Sequence, residues 1–208
     1  MTPPLSRVLT VNDLPLAELC AARLDGQVFQ LADSWCVIDE IDGSDTRAIA
    51  AGQLVPPRAI AERLTAAWIY GVAPEPRRHQ FCVIIGARTT TLWSPRVHLR
   101  EIVRSPDDVC TISGVRVTTP LRTAVDLARS AAHDSAAQDS DELTALLARL
   151  LHVARQPDIA AAVHLCERGS AVHCRLALDR FAAVSGPLSE LMTRSTLPVG
   201  QAQPSLTR

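Results

Sequence analysis

The sequence predicts an α+β fold, in which a small mixed β-sheet is flanked by helices. Residues 81–85, FCVII, form a short apolar run of the length expected of a strand that is covered on both faces. Residues 143–151 instead carry leucines at the three- and four-residue spacing of a helix buried on one side. The strand-like runs precede residue 119 and the longest helical patterns follow it. This separation of strands and helices along the chain is typical of α+β proteins.

Residues 1–45 are predicted to contain a disordered start followed by a helix and a hairpin. The chain before Leu14 is polar and contains prolines, which favours disorder. A short helix then ends at Gly26, with one face formed by Leu16, Leu19, Cys20 and Arg23. Residues 26–40 form a predicted β-hairpin with its turn at residues 32–34. A helix followed by a two-stranded wing is the last part of a winged-helix domain, and the first two helices of such a domain are missing here.

The acidic residues of this first segment argue against a DNA-reading role. Residues 1–60 hold eight acids and four arginines, a net charge of −4. Six of the acids lie in or beside the helix and hairpin: Asp25, Asp33, Asp39, Glu40, Asp42 and Asp45. Because DNA binding depends on cationic contacts to phosphates, we expect a degenerate winged-helix remnant that packs structurally rather than a working DNA reader.

Residues 46–135 are predicted to be the α+β core. A helix is expected to open at Pro56-Pro57 and to end at Gly71, and the FCVII strand follows it. In residues 97–104 the side chains largely alternate: Val97, Leu99 and Val103 point one way, and His98, Arg100 and Arg104 point the other. Glu101 and Ile102 break this alternation. The Ser113-Gly114 pair then predicts a hairpin turn.

The segment VRVTTPLRTAVDLARS, residues 115–130, predicts the step from a strand to a helix. Thr119 has the hydroxyl of an N-cap residue, and Pro120 suits the first helical position, where no N–H bond is needed. Arg122 is unusual in the first turn, because its charge opposes the helix dipole and it precedes Asp126 in the weaker orientation for such a pair. Two interpretations stay open. Arg122 and Asp126 form a pair that fixes the helix against the sheet, which we favour, or Arg122 points outward to a phosphate, a carboxylate or a backbone carbonyl.

Residues 136–208 are predicted to be helical. Ser140 can cap a helix with a leucine stripe, Pro157-Asp158 restarts a second helix up to Gly169, and a third helix is expected over residues 172–184. Two histidines and two cysteines lie close together in this region: His164, Cys166, His173 and Cys174. They straddle the break at Gly169 and lack the tight pairing of structural zinc ligands, so we predict buried thiols and no metal site.

Composition excludes several kinds of chemistry. All 21 basic residues are arginine, so the chain has no P-loop lysine, no Schiff-base lysine and no catalytic lysine of a nuclease. Six cysteines without CxxC spacing, in a chain without a recognisable signal peptide, indicate reduced thiols and a cytoplasmic protein. The apolar runs are shorter than the ~20 residues that span a bilayer. We therefore expect a protein without cofactor, metal or membrane contact.

Positive charge is concentrated in the middle of the chain. Residues 61–130 hold ten arginines and six acids, net +4, whereas residues 131–208 hold seven arginines and eight acids, net −1. An anionic partner is expected to bind the middle, and the candidate contacts are Arg77, Arg78, His98, Arg100, Arg104 and Arg122, with Arg88 and Arg96 nearby. Such a surface suits weak binding of DNA or RNA, or binding of an acidic protein. The alternative is an ordinary solvated strand face with neutralising acids.

Three segments together carry a family resemblance. A helix with Ala66, Ala67, Trp68 and Gly71 is followed by Asp108 and Val109, by the hairpin at Gly114, and by residues 117–120, Arg122, Thr123 and residues 126–128. This order of motifs resembles that of the AbiEi-type antitoxins of bacterial type IV toxin–antitoxin systems, which are common in actinobacteria. The resemblance covers about half of the chain. It implies a non-enzymatic protein that opposes a nucleotidyltransferase-type toxin or represses the operon encoding both.

The last segment resembles the start of a Vsr-like endonuclease domain, on Ser189, Glu190, Leu197, Pro198 and Gln203. The acids and the lysine that such a domain uses to hold metal and activate water do not follow before residue 208, and Glu190 alone cannot bind a catalytic magnesium. This resemblance implies the alternative function, a truncated and catalytically inactive relic of a DNA endonuclease. An adjacent nucleotidyltransferase gene would favour the antitoxin, and an isolated gene the relic.

Overall fold

A computed structural model describes residues 7–86, 94–130, 140–156, 158–168 and 173–196, with side chains up to residue 193. These ranges contain seven α-helices, one 3-10 turn and two β-sheets. The predicted α+β fold is confirmed. The first sheet has three antiparallel strands and the second has five strands in mixed orientation.

The N-terminal unit is a three-stranded sheet with one helix. Its elements are β1 (Val8–Leu9), α1 (Leu16–Leu24), β2 (Val28–Leu31) and β3 (Ser34–Val37), and β3 lies in the centre. The helix and hairpin therefore follow each other as predicted. The expected disorder before Leu14 is wrong for residues 7–13, because Val8 and Leu9 are buried and pair with Cys36 and Trp35. Residues 1–6 lie outside the described part of the chain.

The buried side of α1 differs from the predicted one. Leu19 is buried and packs with Val28 and Trp35, and Ala22 packs partly against the same group. Leu16, Cys20 and Arg23, which were expected on the same face, are exposed. A nine-residue helix anchored mainly by one leucine leaves most of its circumference to solvent.

The second sheet begins after helix α2 (Ser44–Gly52), which the sequence reading missed. The remaining elements up to the helix-starting motif are β4 (Ile60–Ala61), α3 (Arg63–Ile69), β5 (His79–Ile84), β6 (Val97–Ile102), β7 (Val109–Ile112) and β8 (Val115–Thr118). The strand order is β6-β5-β4-β8-β7, with β4 parallel to β8 and β5 parallel to β6.

Two details of this region correct the prediction. The helix expected from Pro56-Pro57 begins only at Arg63, because Ile60 and Ala61 form the central strand of the sheet. Strand β6 ends at Ile102, so Val103 is 84% exposed instead of pointing inward with Val97. The predicted hairpin turn is confirmed, with positive φ angles of 46° at Ser113 and 82° at Gly114.

The register of the second sheet gives it two different faces. Val117, Ala61, Phe81 and Leu99 lie in one cross-strand row and belong to an apolar cluster that also contains residues of α2, α3 and the N-terminal sheet. The next row places Arg116, Ile60, Cys82 and Arg100 side by side. Because side chains alternate along a strand, this second row lies on the opposite, polar face of the sheet.

The C-terminal region consists of α4 (Pro120–Ala128), α5 (Ser140–Val153), α6 (Ala160–Glu167) and α7 (Cys174–Thr196). The leucine stripe of α5 is buried as predicted. Helix α7 is longer than expected and continues through Pro187. Phe181, Val184 and Leu188 lie three or four residues apart and are all buried, so the apolar face continues across Pro187, beyond the predicted helix end at residue 184.

Helices α4 to α7 share one hydrophobic core with α3. This cluster includes Ala67, Val125, Leu147 and Phe181. In addition, Arg180 Nη1 of α7 donates to the carbonyl oxygens of Ala128 at 2.8 Å and Ser130 at 2.7 Å, at the C-terminal end of α4. A cation at this end of a helix satisfies free carbonyls and complements the helix dipole. None of the helices within the described ranges is long and apolar enough to cross a membrane.

Candidate functional site

A buried acid follows the central strand on the polar side of the second sheet. The side chain of Glu62, directly after β4, is only 1% exposed. Its carboxylate accepts hydrogen bonds from Arg100 Nε and from Arg100 Nη2, the latter at 2.7 Å. Arg104 Nη2 donates to the same carboxylate at 2.9 Å. Glu62 therefore links Arg100, which lies in strand β6, to Arg104, which lies just beyond the end of this strand.

Arg104 links this acid to helix α4. Its side chain is 2% exposed, and Nη2 lies 2.8 Å from Asp126 Oδ2. Arg122 Nε and Nη2 donate to Asp126 Oδ1 at 2.9 and 2.7 Å, and Arg122 Nη1 lies 3.5 Å from Asp108 Oδ2. We call these six residues, Glu62, Arg100, Arg104, Asp108, Arg122 and Asp126, the buried ion-pair network. Three arginines and three acids give it no net charge.

The surroundings of Asp126 and Arg104 favour the charged form of both side chains. Burial raises the pKa of Asp126, but the neighbouring Arg104 and Arg122 guanidinium groups outweigh burial and hold this pKa below its usual range. Burial likewise lowers the pKa of Arg104, and Asp126, Cys82 and Glu62 raise it further than burial lowers it. A carboxylate held by guanidinium groups is a poor base. The arrangement is therefore suited to joining β4, β6 and α4 rather than to proton transfer.

The network explains the helix-starting motif. Thr119 is the N-cap of α4 and its hydroxyl accepts a hydrogen bond from the Arg122 backbone N–H at 3.3 Å, with Pro120 in the first turn. The favoured interpretation of Arg122 as the partner of Asp126 is confirmed. In the first turn, the positive charge of Arg122 opposes the helix dipole. The same position, however, places its guanidinium group beside both Asp108 and Asp126.

The structure divides the six residues expected to bind an anionic partner into two groups. Arg100, Arg104 and Arg122 belong to the buried ion-pair network, and the expected surface position is wrong for Arg104. Beyond Ile102, the side chain of Arg104 lies over the sheet, where Nη2 is 4.0 Å from Cys82 Sγ and close to two buried acids. Sequence reasoning missed Glu62, whose signal was an acid placed directly after a short buried strand.

Replacement of Arg122 by alanine is expected to lower the free energy of unfolding by about 1–3 kcal/mol, because Asp126 and Asp108 lose hydrogen bonds in a largely buried place. Urea denaturation followed by circular dichroism measures this change. An unchanged midpoint would show that the pair contributes nothing to the fold and would return Arg122 to the group of candidate surface contacts.

Arg77 and Arg78 lie elsewhere, in the connection between α3 and β5. Both are exposed, and neither makes an ion pair with another residue of the described ranges. His98 is half-buried on β6, in register with Gln80. The structure thus leaves two adjacent arginines as the exposed cations of the predicted set.

The turn of the N-terminal hairpin is attached to this same connection. The backbone N–H of Ala32 donates to Glu75 Oε2 at 3.3 Å, and Arg96 Nη2 donates to Glu75 Oε1 at 2.8 Å. Arg96 Nη1 also pairs with Asp33, the next residue of the turn. Ala32 is 2% exposed. The tip of the hairpin is therefore docked on the core instead of projecting from it.

His79 lies beneath this contact and has no exposed side-chain surface. Its ring packs edge-on against Trp68 with centroids 5.4 Å apart, and Nε2 lies 3.4 Å from Glu75 Oε1. Burial lowers the pKa of His79 from its usual 6.5, and the nearby Arg96 adds to this, while Glu75 and Asp33 act in the opposite direction without cancelling it.

The lowered pKa of His79 predicts that stability falls in mild acid. Below pH 6.5 the unfolded chain binds a proton on this residue more readily than the folded protein does, so the free energy of unfolding declines as the pH falls toward the folded pKa. One such group contributes a slope of at most about 1.4 kcal/mol per pH unit. Urea denaturation from pH 7.5 to 5 should show a smaller loss in His79→Gln than in the wild type. Equal pH profiles would contradict the assignment.

Within the ranges that the structure describes, no three His, Cys, Asp or Glu residues come together as metal ligands. Cys166 and Cys174 lie in contact, with their Sγ atoms 3.6 Å apart, but His164 and His173 are exposed.

Taken together, the fold and the site define a class: a small α+β protein with a buried ion-pair network of no net charge and an N-terminal three-stranded sheet whose hairpin turn is docked on the core. Residues 60–180 match the family model of the AbiEi antitoxin C-terminal domain. The chain therefore belongs to the AbiEi antitoxin family, as the motifs predicted, and an antitoxin or regulatory role follows in general terms. The matched range contains the whole second sheet and every member of the buried ion-pair network.

The crystal structure of the RV2827C protein from Mycobacterium tuberculosis is similar at a TM-score of 0.49 and 13% sequence identity, covering 93% of this chain and 78% of that one. No curated protein matches the chain. The Vsr-like resemblance is not confirmed: Ser189 and Glu190 lie inside α7 rather than at the start of a helix, and Leu197, Pro198 and Gln203 lie outside the described residues.

Proposed function

We propose that this protein is a non-enzymatic antitoxin that opposes a nucleotidyltransferase-type toxin by binding it directly. The docked hairpin turn is the observation that carries this proposal. A wing that reads DNA must be free at its tip, whereas here Ala32 is buried and Asp33 is paired with Arg96. The net charge of −4 in residues 1–60 also opposes contacts to phosphates. Both points favour a protein partner over operon repression.

Arg77 and Arg78 are the proposed contacts to the toxin. Enzymes that act on nucleotides hold magnesium with carboxylates, so such a toxin carries acidic groups at its active site. Two adjacent exposed guanidinium groups suit carboxylate recognition, because each can donate two parallel hydrogen bonds. His98, on strand β6 at the edge of the second sheet, stays a candidate contact to the toxin. The alternative of an inactive endonuclease relic is favoured by no feature of the described residues.

Co-expression tests the proposal. A nucleotidyltransferase-type toxin encoded beside this gene should stop growth, and the antitoxin should restore it. The double variant Arg77→Ala with Arg78→Ala should weaken the complex at least ~10-fold in calorimetry, equivalent to about 1.4 kcal/mol, and should reduce the recovery of growth. Weak DNA or RNA binding through the same arginines would appear instead as an affinity that falls steeply with salt.

The matched control is Arg168→Ala with Arg175→Ala, which removes the same charge from two exposed positions of the C-terminal region. It should rescue growth as the wild type does. If both double variants rescue equally and no complex with the toxin is measurable, direct binding through Arg77 and Arg78 is excluded.

A further inference from the structure

Two thiols of the C-terminal region lie in contact. Cys166 is in α6 and Cys174 is the first residue of α7, and their Sγ atoms are 3.6 Å apart. Each sulfur also lies near the other residue's carbonyl oxygen, at 3.8 and 3.9 Å. Both cysteines are free thiols. Sulfur atoms at this separation need only a small side-chain movement to reach the bond length of a disulfide, about 2.05 Å.

We propose that Cys166 and Cys174 are a modification site: a dithiol that forms a reversible disulfide with a low-molecular-weight disulfide as oxidant. The bond would link α6 covalently to α7. It requires no residue of the proposed toxin-binding surface, and it stands or falls independently of the proposed function.

The chemistry balances without any further reactant. The Cys174 thiolate attacks one sulfur of the small disulfide, a mixed disulfide forms, and one small thiolate leaves and takes up the proton that Cys174 lost. Cys166 then loses its proton and attacks the Cys174 sulfur, which releases the second small thiol. The two cysteines are oxidised by two electrons, and the small disulfide is reduced to two thiols.

The surroundings of the two sulfurs set this order of events. Cys174 is partly exposed, whereas Cys166 has no exposed surface. Burial raises the pKa of the Cys166 thiol to about 11, so this thiol reacts slowly with an oxidant in solution. It nevertheless lies beside the Cys174 sulfur, where the mixed disulfide forms. Cys36 and Cys82 are buried too, with pKa values raised by burial to about 11 and about 12. Within the described ranges, neither has a second thiol in contact.

A disulfide between Cys166 and Cys174 would restrain the start of helix α7, which contributes to the shared core. Helix α7 carries Arg180, which binds the end of α4, and Phe181, which fills the shared core. A link at the first residue of α7 restrains the unfolded chain and fixes the helix start. For a closed loop of this length, the thermal midpoint should rise by about 5 °C on oxidation.

Peptide mapping tests the proposal. Reduced protein is incubated with oxidised glutathione, alkylated and digested with trypsin. Because Arg168 lies between the two cysteines, the disulfide should join the peptide of residues 156–168 to that of residues 169–175. The joined peptides should be two hydrogen masses lighter than their sum, should separate on reduction, and should accompany the rise in thermal midpoint.

Two variants complete the experiment. Cys20→Ser, which removes an exposed thiol on α1, should leave the joined peptides unchanged. Cys174→Ser should abolish them and the rise in midpoint. Glutathione adducts on Cys20 and Cys174 without joined peptides, at every ratio of oxidised to reduced glutathione, would overturn the proposal.

Discussion

Replacement of Glu62 by alanine should lower the free energy of unfolding by about 3–5 kcal/mol, a large share of the stability of an ordinary domain. The carboxylate is 1% exposed and receives hydrogen bonds from Arg100 and Arg104. Without it, Arg104 keeps Asp126 as its partner, but the interior gains an unbalanced positive charge. Urea denaturation followed by circular dichroism at pH 7 measures the loss.

Two comparisons make the Glu62 experiment specific. Glu101→Ala removes an exposed acid near the end of β6 and should change stability by no more than about 0.5 kcal/mol. Glu62→Leu combined with Arg104→Met removes one acid and one base, and should recover part of the loss because no unbalanced charge stays buried. A loss below about 1 kcal/mol in Glu62→Ala would mean that water solvates the network and that it does not hold the sheet to α4.

Phe181→Ala should be comparably destabilising, by about 3–5 kcal/mol, because the ring is fully buried in the core shared by α3 to α7. The same core includes Ala67 of α3, next to Trp68. The fluorescence of the tryptophans and the helical circular dichroism signal should therefore shift to lower urea concentration together, as one transition.

The control for Phe181 is Leu176→Ala on the same helix, where the side chain is 37% exposed and the loss should be clearly smaller. Two separate transitions in Phe181→Ala would contradict a shared core. They would instead support the predicted boundary near residue 136, with the helices beyond it as an independent unit.

Periodicity predicted the parts of the fold that depend on local patterns. The leucine stripe of α5, the Ser113-Gly114 hairpin turn and the Thr119-Pro120 start of α4 are found at their predicted places. Each depends on residues close together in the chain, so that spacing and backbone preference suffice. The Arg122–Asp126 pair is also local, at four residues apart.

The features that the sequence reading missed depend on distant partners. Val8 and Leu9 form a strand because β3 lies beside them, and Ile60 and Ala61 form one because β5 and β8 lie on either side. Neither pair is long enough to give a periodic signal. Arg104 alternates with its neighbours like a surface residue, yet Glu62, 42 positions earlier, brings it inside. Charge counting along the chain could not separate paired arginines from exposed ones.

The buried ion-pair network also limits how members of this family can diverge. Glu62, Arg104 and Asp126 come from three separate parts of the chain, after β4, after β6 and within α4, and a change of one alone leaves an unbalanced charge in the interior. An evolutionary path through such an intermediate passes through a poorly folded protein. In homologues that keep the fold, the residues at these three positions should therefore be inherited as a set or replaced together by apolar side chains. Arg77 and Arg78 are exposed and make no ion pair within the described ranges, so the same restriction does not apply to them. If they contact the toxin as proposed, they should vary among homologues together with the surface of the toxin.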